Sequence, residues 1–293
     1  MSSEHLASAQ NQLKGNLGGA WDMLSGAQGN DTDLRTARRF GGAAGAYSLR
    51  DIGAMNGRVV NVRRSGDDAN ADFSANQVIS GSLAAWVDAG GGDKDGFVEV
   101  LYDQSGNGKD ISQTSSDADQ PQIVDNGAVL LDNGKPTMKF TANAEFLDTA
   151  STVTVSSGAQ FVVCNVTDVS SGRALIGKKS VNTDFFRFTS SDSESYKANS
   201  QGTTFGTIAE GQQLIVSVDR DGSNNTEMFE DNAQSGTTRT NITGNFVFER
   251  MGARNAASDP YVGTISELIM FDGDYSSDRE TITREINNYY KAF

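Results

Sequence analysis

Residues Phe97–Gln113 read FVEVLYDQSGNGKDISQ, and this stretch predicts a β-strand that turns a sharp corner. Its first half alternates in the period-2 manner of a strand. One face of this strand would carry Val98, Val100 and Tyr102. The opposite face would carry Phe97, Glu99 and Leu101. The second half suits a tight turn, because Gly and Asn tolerate positive φ and Asp or Asn side chains bond nearby backbone N–H groups. We expect structural roles for Tyr102, Asp103, Gly106 and Gly108, and a returning strand at Lys109–Gln113.

The string YDQSGNG at Tyr102–Gly108 is accompanied by three further blocks. They are AYSLRDI (Ala46–Ile52), VVNVRRSGDDANADFS (Val59–Ser74) and QPQIVDNGAVLLDNGKPTMKF (Gln120–Phe140). In order and spacing the four blocks resemble a concanavalin A-like (laminin G-like) β-sandwich family. This family includes many bacteriophage virion proteins and the catalytic domain of fungal α-L-arabinofuranosidase B enzymes. The resemblance covers roughly Ala46–Leu147 and implies an all-β fold, an antiparallel jelly roll.

The rest of the chain is compatible with one large sandwich. It has 293 residues, 32 of them Gly, and a single β-sandwich domain of about 200–250 residues is ordinary. We therefore expect an arm over residues 1–45 and a sandwich over residues 46–293. Further strands are predicted at Ala128–Leu131, Thr137–Phe140, Gln160–Val166, Arg173–Gly177, Phe185–Thr189, Gln213–Asp219, Glu227–Glu230, Phe246–Met251 and Val262–Phe271.

Two helices are predicted inside the sandwich region. The first spans Ser80–Val87 and ends at the glycines Gly90–Gly92. The second follows Ser277-Asp278-Arg279-Glu280, which resembles a capping box. Its apolar side would consist of Ile282, Ile286, Tyr289 and Tyr290.

The N-terminal arm carries an amphipathic helical pattern. Its stripe consists of Leu6, Ala9, Leu13, Leu17, Trp21 and Leu24. Internal glycines weaken such a helix by about 1 kcal/mol each, so we expect it to form by docking, either on its own sandwich or on a neighbouring subunit. A second helical signal at Asp31–Phe40 precedes FGGAAGA, Phe40–Ala46, which has the composition of a linker.

Charge and cysteine content exclude several classes of protein. The chain has 24 Lys and Arg against 38 Asp and Glu, a net charge of −14, so nucleic acid and anionic membranes are poor partners. Cys164 is the only cysteine and lies in an apolar run, which predicts a buried thiol and no internal disulfide. The first residues, MSSEHLASAQNQLKG, lack the features of a signal peptide, and no apolar run is long enough for membrane insertion.

Catalysis would have to depend on carboxyl groups. The only histidine is His5, which excludes a Ser-His-Asp arrangement and a His/Cys zinc site within one chain. The arabinofuranosidase resemblance makes glycoside hydrolysis by two carboxyl groups the enzyme hypothesis. However, no acid of this chain aligns with the catalytic pair of the fungal enzymes, and their cysteine pattern and C-terminal sugar-binding module are missing. We therefore expect no enzymatic activity and keep the glycoside hydrolase as the alternative.

Binding sites are predicted from residue type. Sugar binding calls for an exposed aromatic ring near polar turns, and the candidates are Trp86, Tyr196, Phe205 and Tyr261. Oxygen ligands for Ca²⁺ are offered by Asp103, Asn107 and Asp110, and by Asp219, Asp221, Asn224 and Asn225. Neither group has EF-hand spacing, so turn-stabilising hydrogen bonds are preferred and no cofactor is expected. Glu267 alternates with Ile265 and Ile269, which predicts an inward carboxylate paired with an Arg.

The phage members of the resembled family imply a virion structural protein, either capsid-decorating or tail- and fibre-associated. The arm would attach to other virion proteins through Leu6, Leu13, Leu17, Trp21 and Leu24. The sandwich would then be displayed outward, as a host-glycan adhesin or as a pure cement protein. We also expect a homo-oligomer that joins the virion in the host cytoplasm.

Overall fold

A computed structural model describes residues 36–40, 42–53, 57–141, 143, 145–189 and 193–293. This part of the chain contains 21 strands and four α-helices. The strands are β1 Ala43–Ser48, β2 Val60–Arg64, β3 Asn70–Phe73, β4 Gly96–Leu101, β5 Ile111–Ser112, β6 Gln122–Asp125, β7 Ala128–Val129, β8 Leu131–Asp132, β9 Lys135–Pro136, β10 Met138–Phe140, β11 Leu147–Val155, β12 Gly158–Val166, β13 Arg173–Gly177, β14 Phe185–Phe188, β15 Ser193–Ala198, β16 Gln201–Thr207, β17 Leu214–Arg220, β18 Thr226–Glu230, β19 Ala233–Arg239, β20 Phe246–Met251 and β21 Gly263–Phe271. The helices are α1 Thr36–Arg39, α2 Ala75–Ile79, α3 Ser82–Ala89 and α4 Arg279–Tyr290. The predicted anchoring residues Leu6 to Leu24 lie outside the described residues.

The described strands pair antiparallel and form two layers, which confirms the predicted all-β sandwich. One layer has the order β3-β2-β4-β6-β10-β21-β12-β17-β18-β19, with β1 also paired to β21. The other has the order β5-β11-β20-β13-β14-β15-β16. Pairing of β5 with β4 joins the two layers at the predicted corner.

The main core lies between the layers, where alternate side chains of both meet. Tyr47 of the first layer, for example, contacts Phe248 of the second at a ring-centroid distance of 5.8 Å. A second core lies on the outer face of the first layer, under α4. It includes Ile282, Ile286 and Tyr290, which confirms the apolar side predicted for the terminal helix except at Tyr289, which is only partly buried. The outer face of the second layer therefore lies on the opposite side of the molecule from α4.

The corner between the layers is fixed by its own polar side chains. The Asp103 carboxylate accepts hydrogen bonds from the backbone N–H groups of Ala46 (3.1 Å), Ser105 (2.9 Å) and Lys109 (3.0 Å). The Gln104 side chain donates to the carbonyl oxygens of residues 48 and 50 and accepts from the N–H of residue 52. Gly53 must be a glycine, because a Cβ there would lie 1.8 Å from the carbonyl oxygen of Gln104.

Glu267 confirms the predicted buried ion pair, and its partner is Arg50. Two bonds of 2.7 Å join the guanidinium Nε and Nη2 to the two carboxylate oxygens, and both side chains are almost fully buried. The Ser48 hydroxyl (2.8 Å) and the Tyr290 hydroxyl (3.2 Å) also donate to Oε2 of Glu267. Burial alone would lower the pKa of Arg50, but the adjacent carboxylate raises it above its ordinary value. The pair therefore ties β1, β21 and α4 together.

Several sequence predictions about local structure are wrong. The expected linker Phe40–Ala46 enters β1 at Ala43, because its small residues fit beside β21. Leu101 is buried in the core and Val100 is not, since the β2–β4 register shifts and breaks the alternation. The helix expected at Ser80–Val87 is the later part of a pair, α2 and α3, and Ser74 caps α2 with a capping box. At α4 the capping residue is Asp278, without a side-chain cap.

Candidate functional site

The outer face of the second layer carries a row of neighbouring side chains that the strand register brings together. Asp148 of β11 pairs with Arg250 of β20, and Arg250 with Gly177 of β13. Gly177 pairs with Phe185 of β14, and Phe185 with Lys197 of β15. Register partners project from the same face of a sheet, so charged and aromatic groups from four strands, β11, β20, β14 and β15, share one surface across Gly177 of β13.

We call this surface the ionic face. Its charged and aromatic residues are Phe146, Asp148, Lys178, Lys179, Asp184, Phe185, Arg187, Lys197, Glu249, Arg250, Arg254 and Asp259.

Asp259 is the carboxylate at one end of the ionic face. It accepts from Nε of Arg254 at 2.6 Å and from Nη1 of Arg187. Burial alone would raise the pKa of Asp259, but the hydrogen bonds and charges of Arg254 and Arg187 outweigh burial and hold it below its ordinary value. This carboxylate is therefore ionised at every pH in the neutral and mildly acidic range.

Asp148 and Glu249 supply carboxyl groups at the other end. Asp148 binds Arg250 through two bonds of 2.6 and 2.9 Å, and the Arg250 guanidinium lies 3.7 Å from the ring centroid of Phe146. Glu249 has neutral neighbours instead: its Oε2 accepts from the backbone N–H of Lys179 (3.1 Å) and the Ser180 hydroxyl (3.4 Å). The two carboxyl groups therefore differ in their electrostatic surroundings.

The loop that supplies Arg254 and Asp259 is strained. Three of its non-glycine residues have positive φ: Ala256 at 50°, Ala257 at 53° and Asp259 at 51°. Such conformations cost free energy and cluster at functional sites in folded proteins. The loop lies directly on β13, where a Cβ at Gly177 would come within 3.1 Å of the Arg254 side chain.

Several polar clefts open on the surface of the described residues, among them one of ≈ 310 Å³ beside Asn133, Asn165 and Lys291. A cleft of ≈ 440 Å³ adjoins the ionic face; its lining includes Lys178, Asp184 and Asn199. Another, of ≈ 490 Å³, lies on the outer face of the first layer. It is lined by Arg63, Asp95, Phe97, Asp117, Ala118, Gln120, Gln122, Lys139, Thr141, Asn143 and Glu145. The ionic face adds a strained loop and arginine-held carboxylates to its cleft, which makes it the stronger candidate.

The four aromatic residues predicted from sequence to bind a ligand are not brought together. Tyr196 and Tyr261 are buried in the core, so neither ring is exposed to a ligand in this structure. Tyr196 stacks on Phe246, because the inward positions of β15 face the interlayer space. Trp86 packs on Phe73 under the guanidinium of Arg64, and Phe205 is partly buried on β16. A ligand-binding role for these residues stays a prediction.

Several of the predicted calcium ligands are engaged in hydrogen bonds, whereas Oδ1 of Asp219 is buried without a hydrogen-bond partner among the described residues. Asp110 accepts from the N–H of Asp103 at 2.8 Å, and the Asn107 amide donates to the carbonyl oxygen of residue 43 at 2.9 Å. Asp221 accepts from the N–H groups of Ser223 and Asn225. Within the described ranges, no three His, Cys, Asp or Glu side chains are grouped to hold a metal ion. In the same part of the chain, no helix is long and apolar enough to cross a membrane.

A second group of carboxyls with shifted pKa values lies between the layers, not on the ionic face. Glu194 of β15 and Glu230 of β18 both occupy inward positions of their strands. Burial is the main cause that raises the pKa of Glu194 to about 8, and the neighbouring Glu230 carboxyl acts in the same direction. Burial also raises the pKa of Glu230 to about 7. Because Glu194 is fully buried, it is not accessible to a ligand in this conformation.

Sequence reasoning missed the ionic face. One signal was present in the alternation of β14, Phe185-Phe186-Arg187-Phe188, which predicts that Phe185 and Arg187 share one face. The pairing of β14 with the loop after β20 depends on contacts between residues about 70 positions apart, such as Arg187 with Asp259. No local pattern reveals such a contact.

Fold and site together define an antiparallel β-sandwich with an ionic, aromatic face on one layer. No family model matches the chain, and no curated protein matches it in sequence. Solved structures, in contrast, match the chain in fold. A GH54 α-L-arabinofuranosidase mutant soaked with 4-nitrophenyl α-L-arabinofuranoside matches at TM-score 0.59 and 15% identity, over 83% of this chain and 62% of that one. An arabinofuranosidase complexed with arabinofuranosyl-α-1,2-xylobiose matches at TM-score 0.55 and 16% identity, with the same coverage.

These comparisons correct one expectation and support part of another. The chain is similar in fold to arabinofuranosidases, which are enzymes. The expectation from the sequence that the chain is not an enzyme is therefore wrong. The distant relation to arabinofuranosidases is supported at the level of the fold, whereas a phage family is not shown. The chain spans 62% of the length of these structures. At 15–16% identity the likeness establishes the fold, and activity is a matter for proposal.

Proposed function

We propose that this chain is a glycoside hydrolase that binds its saccharide on the ionic face. The observation that carries the proposal is the set of three carboxyl groups, Asp148, Glu249 and Asp259, gathered on one surface beside aromatic rings. Saccharide sites combine such rings with a few convergent polar groups. The likeness in fold to arabinofuranosidases supports the same reaction class.

The surroundings of the carboxyl groups suggest their roles. Glycoside hydrolysis needs one carboxyl that protonates the leaving oxygen and a second that attacks the sugar or activates water. Asp259 takes the second role, because Arg254 and Arg187 keep it ionised. Glu249 is assigned the first role, because its hydrogen-bond partners are neutral and no arginine pairs with it among the described residues. Arg250 holds Asp148 at the same end of the ionic face as Glu249.

Hydrolysis of a panel of nitrophenyl glycosides, α-L-arabinofuranoside included, and of polysaccharides tests the proposal. We expect Asp259→Asn and Glu249→Gln each to lower kcat/KM by about 100-fold or more, while both variants still unfold cooperatively. Asp93→Asn, at an exposed position in the turn before β4, is the matched control and should keep full activity. No hydrolysis on any substrate, or full activity in both variants, would contradict the proposal.

The pH profile gives a further check on the role of Asp259. A carboxylate that must be ionised loses function as the pH falls through its own pKa, and that pKa lies below the ordinary 3.8. The acid limb of kcat/KM should therefore lie below pH 3.8. An acid limb near pH 5 that stays in place in the Asp259→Asn variant would assign the limb to another group.

The virion role expected from the sequence blocks stays a proposal of a different kind. It concerns where the chain is attached, and its anchoring residues lie outside the described part of the chain. An attached sandwich with hydrolytic activity and one without it are both compatible with such an arm.

A further inference from the structure

We propose that the saccharide bound on the ionic face is acidic, with its carboxylate or sulfate held near Phe185 by Arg187, Lys197 and Arg254. This inference rests on the proposed function and specifies its substrate class. It starts from an excess of positive charge at one aromatic ring.

Three cations surround the ring of Phe185. The guanidinium carbons of Arg187 and Arg254 lie 4.6 and 5.6 Å from the ring centroid, and the Lys197 ammonium lies 5.6 Å from it. Each contact is favourable by itself, since the face of the ring carries negative charge. The three cations nevertheless repel one another, so their gathering requires compensation by negative charge.

The protein supplies only part of that compensation. Within the described residues, Asp259 is the one carboxylate in an ion pair with these cations, and it serves both Arg187 and Arg254. Lys197 donates to the carbonyl oxygen of residue 182 at 2.9 Å, which is a neutral partner. Asp184, next to Phe185 in the chain, already accepts from the N–H groups of residues 199 and 247 and from the Thr183 hydroxyl. These donors are neutral, so with the Asp184 carboxylate counted beside Asp259, the three cations exceed the carboxylates by one positive charge.

The local excess of positive charge around Phe185 contrasts with the negative net charge of the whole chain. With 38 carboxylates against 24 basic side chains, acids are abundant, and a cation cluster that lacks them is an exception. Nε of Arg187 is buried and has no hydrogen-bond partner among the described residues, so a donor is free at this place. A planar guanidinium matches a carboxylate or sulfate oxygen, whereas a neutral sugar hydroxyl would leave the charges unpaired.

Oligogalacturonate and its methyl ester provide a matched pair of probes with one backbone. We expect calorimetric titration to give at least tenfold tighter binding of the acid form at low salt, with a preference that weakens as salt rises. Lys197→Gln should reduce this preference several-fold, as should Arg187→Gln, the second variant. Lys139→Gln, a lysine of the cleft on the other layer, should leave it unchanged.

The possible results separate the inference from the proposed function. Equal binding of acid and ester forms, or hydrolysis confined to neutral substrates, would overturn the acidic substrate and leave the glycoside hydrolase intact. Equally tight binding of a single-stranded oligonucleotide would show that charge alone is recognised and would overturn the saccharide class. Failure of every saccharide to bind would overturn both proposals.

Discussion

At the scale of single residues, the Arg50–Glu267 pair is the polar contact on which the joint between β1, β21 and α4 most depends. Its two charges are almost completely removed from water, so each depends on the other. Loss of one partner leaves an uncompensated buried charge, which is far more costly than loss of an exposed pair.

We expect Glu267→Gln to lower the free energy of unfolding by about 3–5 kcal/mol, as measured by urea denaturation. Glu280→Gln makes the same chemical change in an exposed pair with Arg284 on α4 and should cost less than about 0.5 kcal/mol. Equal stability of wild type and Glu267→Gln would show that the pair does not hold this joint.

A second prediction concerns the corner between the layers. Asp103→Ala removes an acceptor of three backbone N–H groups and of the Ser105 hydroxyl. Hydrogen bonds to a charged group contribute about 1.5–3 kcal/mol, and some of the freed groups will find water, so we expect a total loss of about 2–4 kcal/mol. Asp93→Ala, at an exposed position, is the control and should unfold at the same urea concentration as the wild type. If Asp103→Ala also unfolded at the wild-type urea concentration, the role of this turn would be refuted.

At the scale of elements, β15, β16, β18 and β19 enclose a buried carboxyl. β16 approaches β19 closely, since a Cβ at Gly206 would lie 2.1 Å from Oγ of Ser235. Glu194 lies fully buried in this region, and its pKa is raised from 4.5 to about 8. Between pH 4.5 and pH 8, Glu194 is therefore protonated in the folded state and ionised in the unfolded state.

Stability should fall as the pH rises from 4.5 to 8, because the unfolded state gains by ionising Glu194 and the folded state does not. The interval corresponds to at most roughly 5 kcal/mol at 1.36 kcal/mol for each pH unit, and coupling to Glu230 reduces it. Glu194→Gln should flatten this slope, whereas Glu280→Gln should retain it. Chemical denaturation across the interval measures both, and an unchanged slope in Glu194→Gln would place the effect elsewhere.

The elements also show what the sequence could and could not predict. Strands with strong β-branched or aromatic patterns, such as β12, β13 and β20, lie where alternation predicts them. β1 was missed because Ala and Gly residues form a strand only when a partner such as β21 is present. β16 and β19 are rich in Thr, Gln and Gly, and in their sequences no apolar alternation marks a face.

For the site, local patterns were a weaker guide than for the fold. Turn residues such as Asp103 could be identified because their partners are close in sequence, as Ser105 and Lys109 are. Arg187 and Asp259 could not be paired, because only the completed sheet brings them together. Tyr196 has a polar surrounding sequence but an inward strand position, and position decides burial.

At the scale of the whole molecule, we propose that attachment and chemistry belong to separate parts of the chain. If the arm anchors the sandwich to a particle, deletion of residues 1–24 should abolish particle association and leave hydrolysis by the ionic face unchanged. Cosedimentation of the labelled chain with particles measures the first, and the nitrophenyl glycoside assay measures the second. Particle association that survives the deletion would refute the arm as the anchor.

Release of reducing ends from saccharides, compared between wild type, Asp259→Asn and Asp93→Asn, tests the central claim most directly. The account predicts hydrolysis by the wild type and by Asp93→Asn, and about a 100-fold loss or more in an Asp259→Asn variant that still unfolds cooperatively. Hydrolysis at the wild-type rate by a folded Asp259→Asn variant would contradict the placement of the reaction on the second layer.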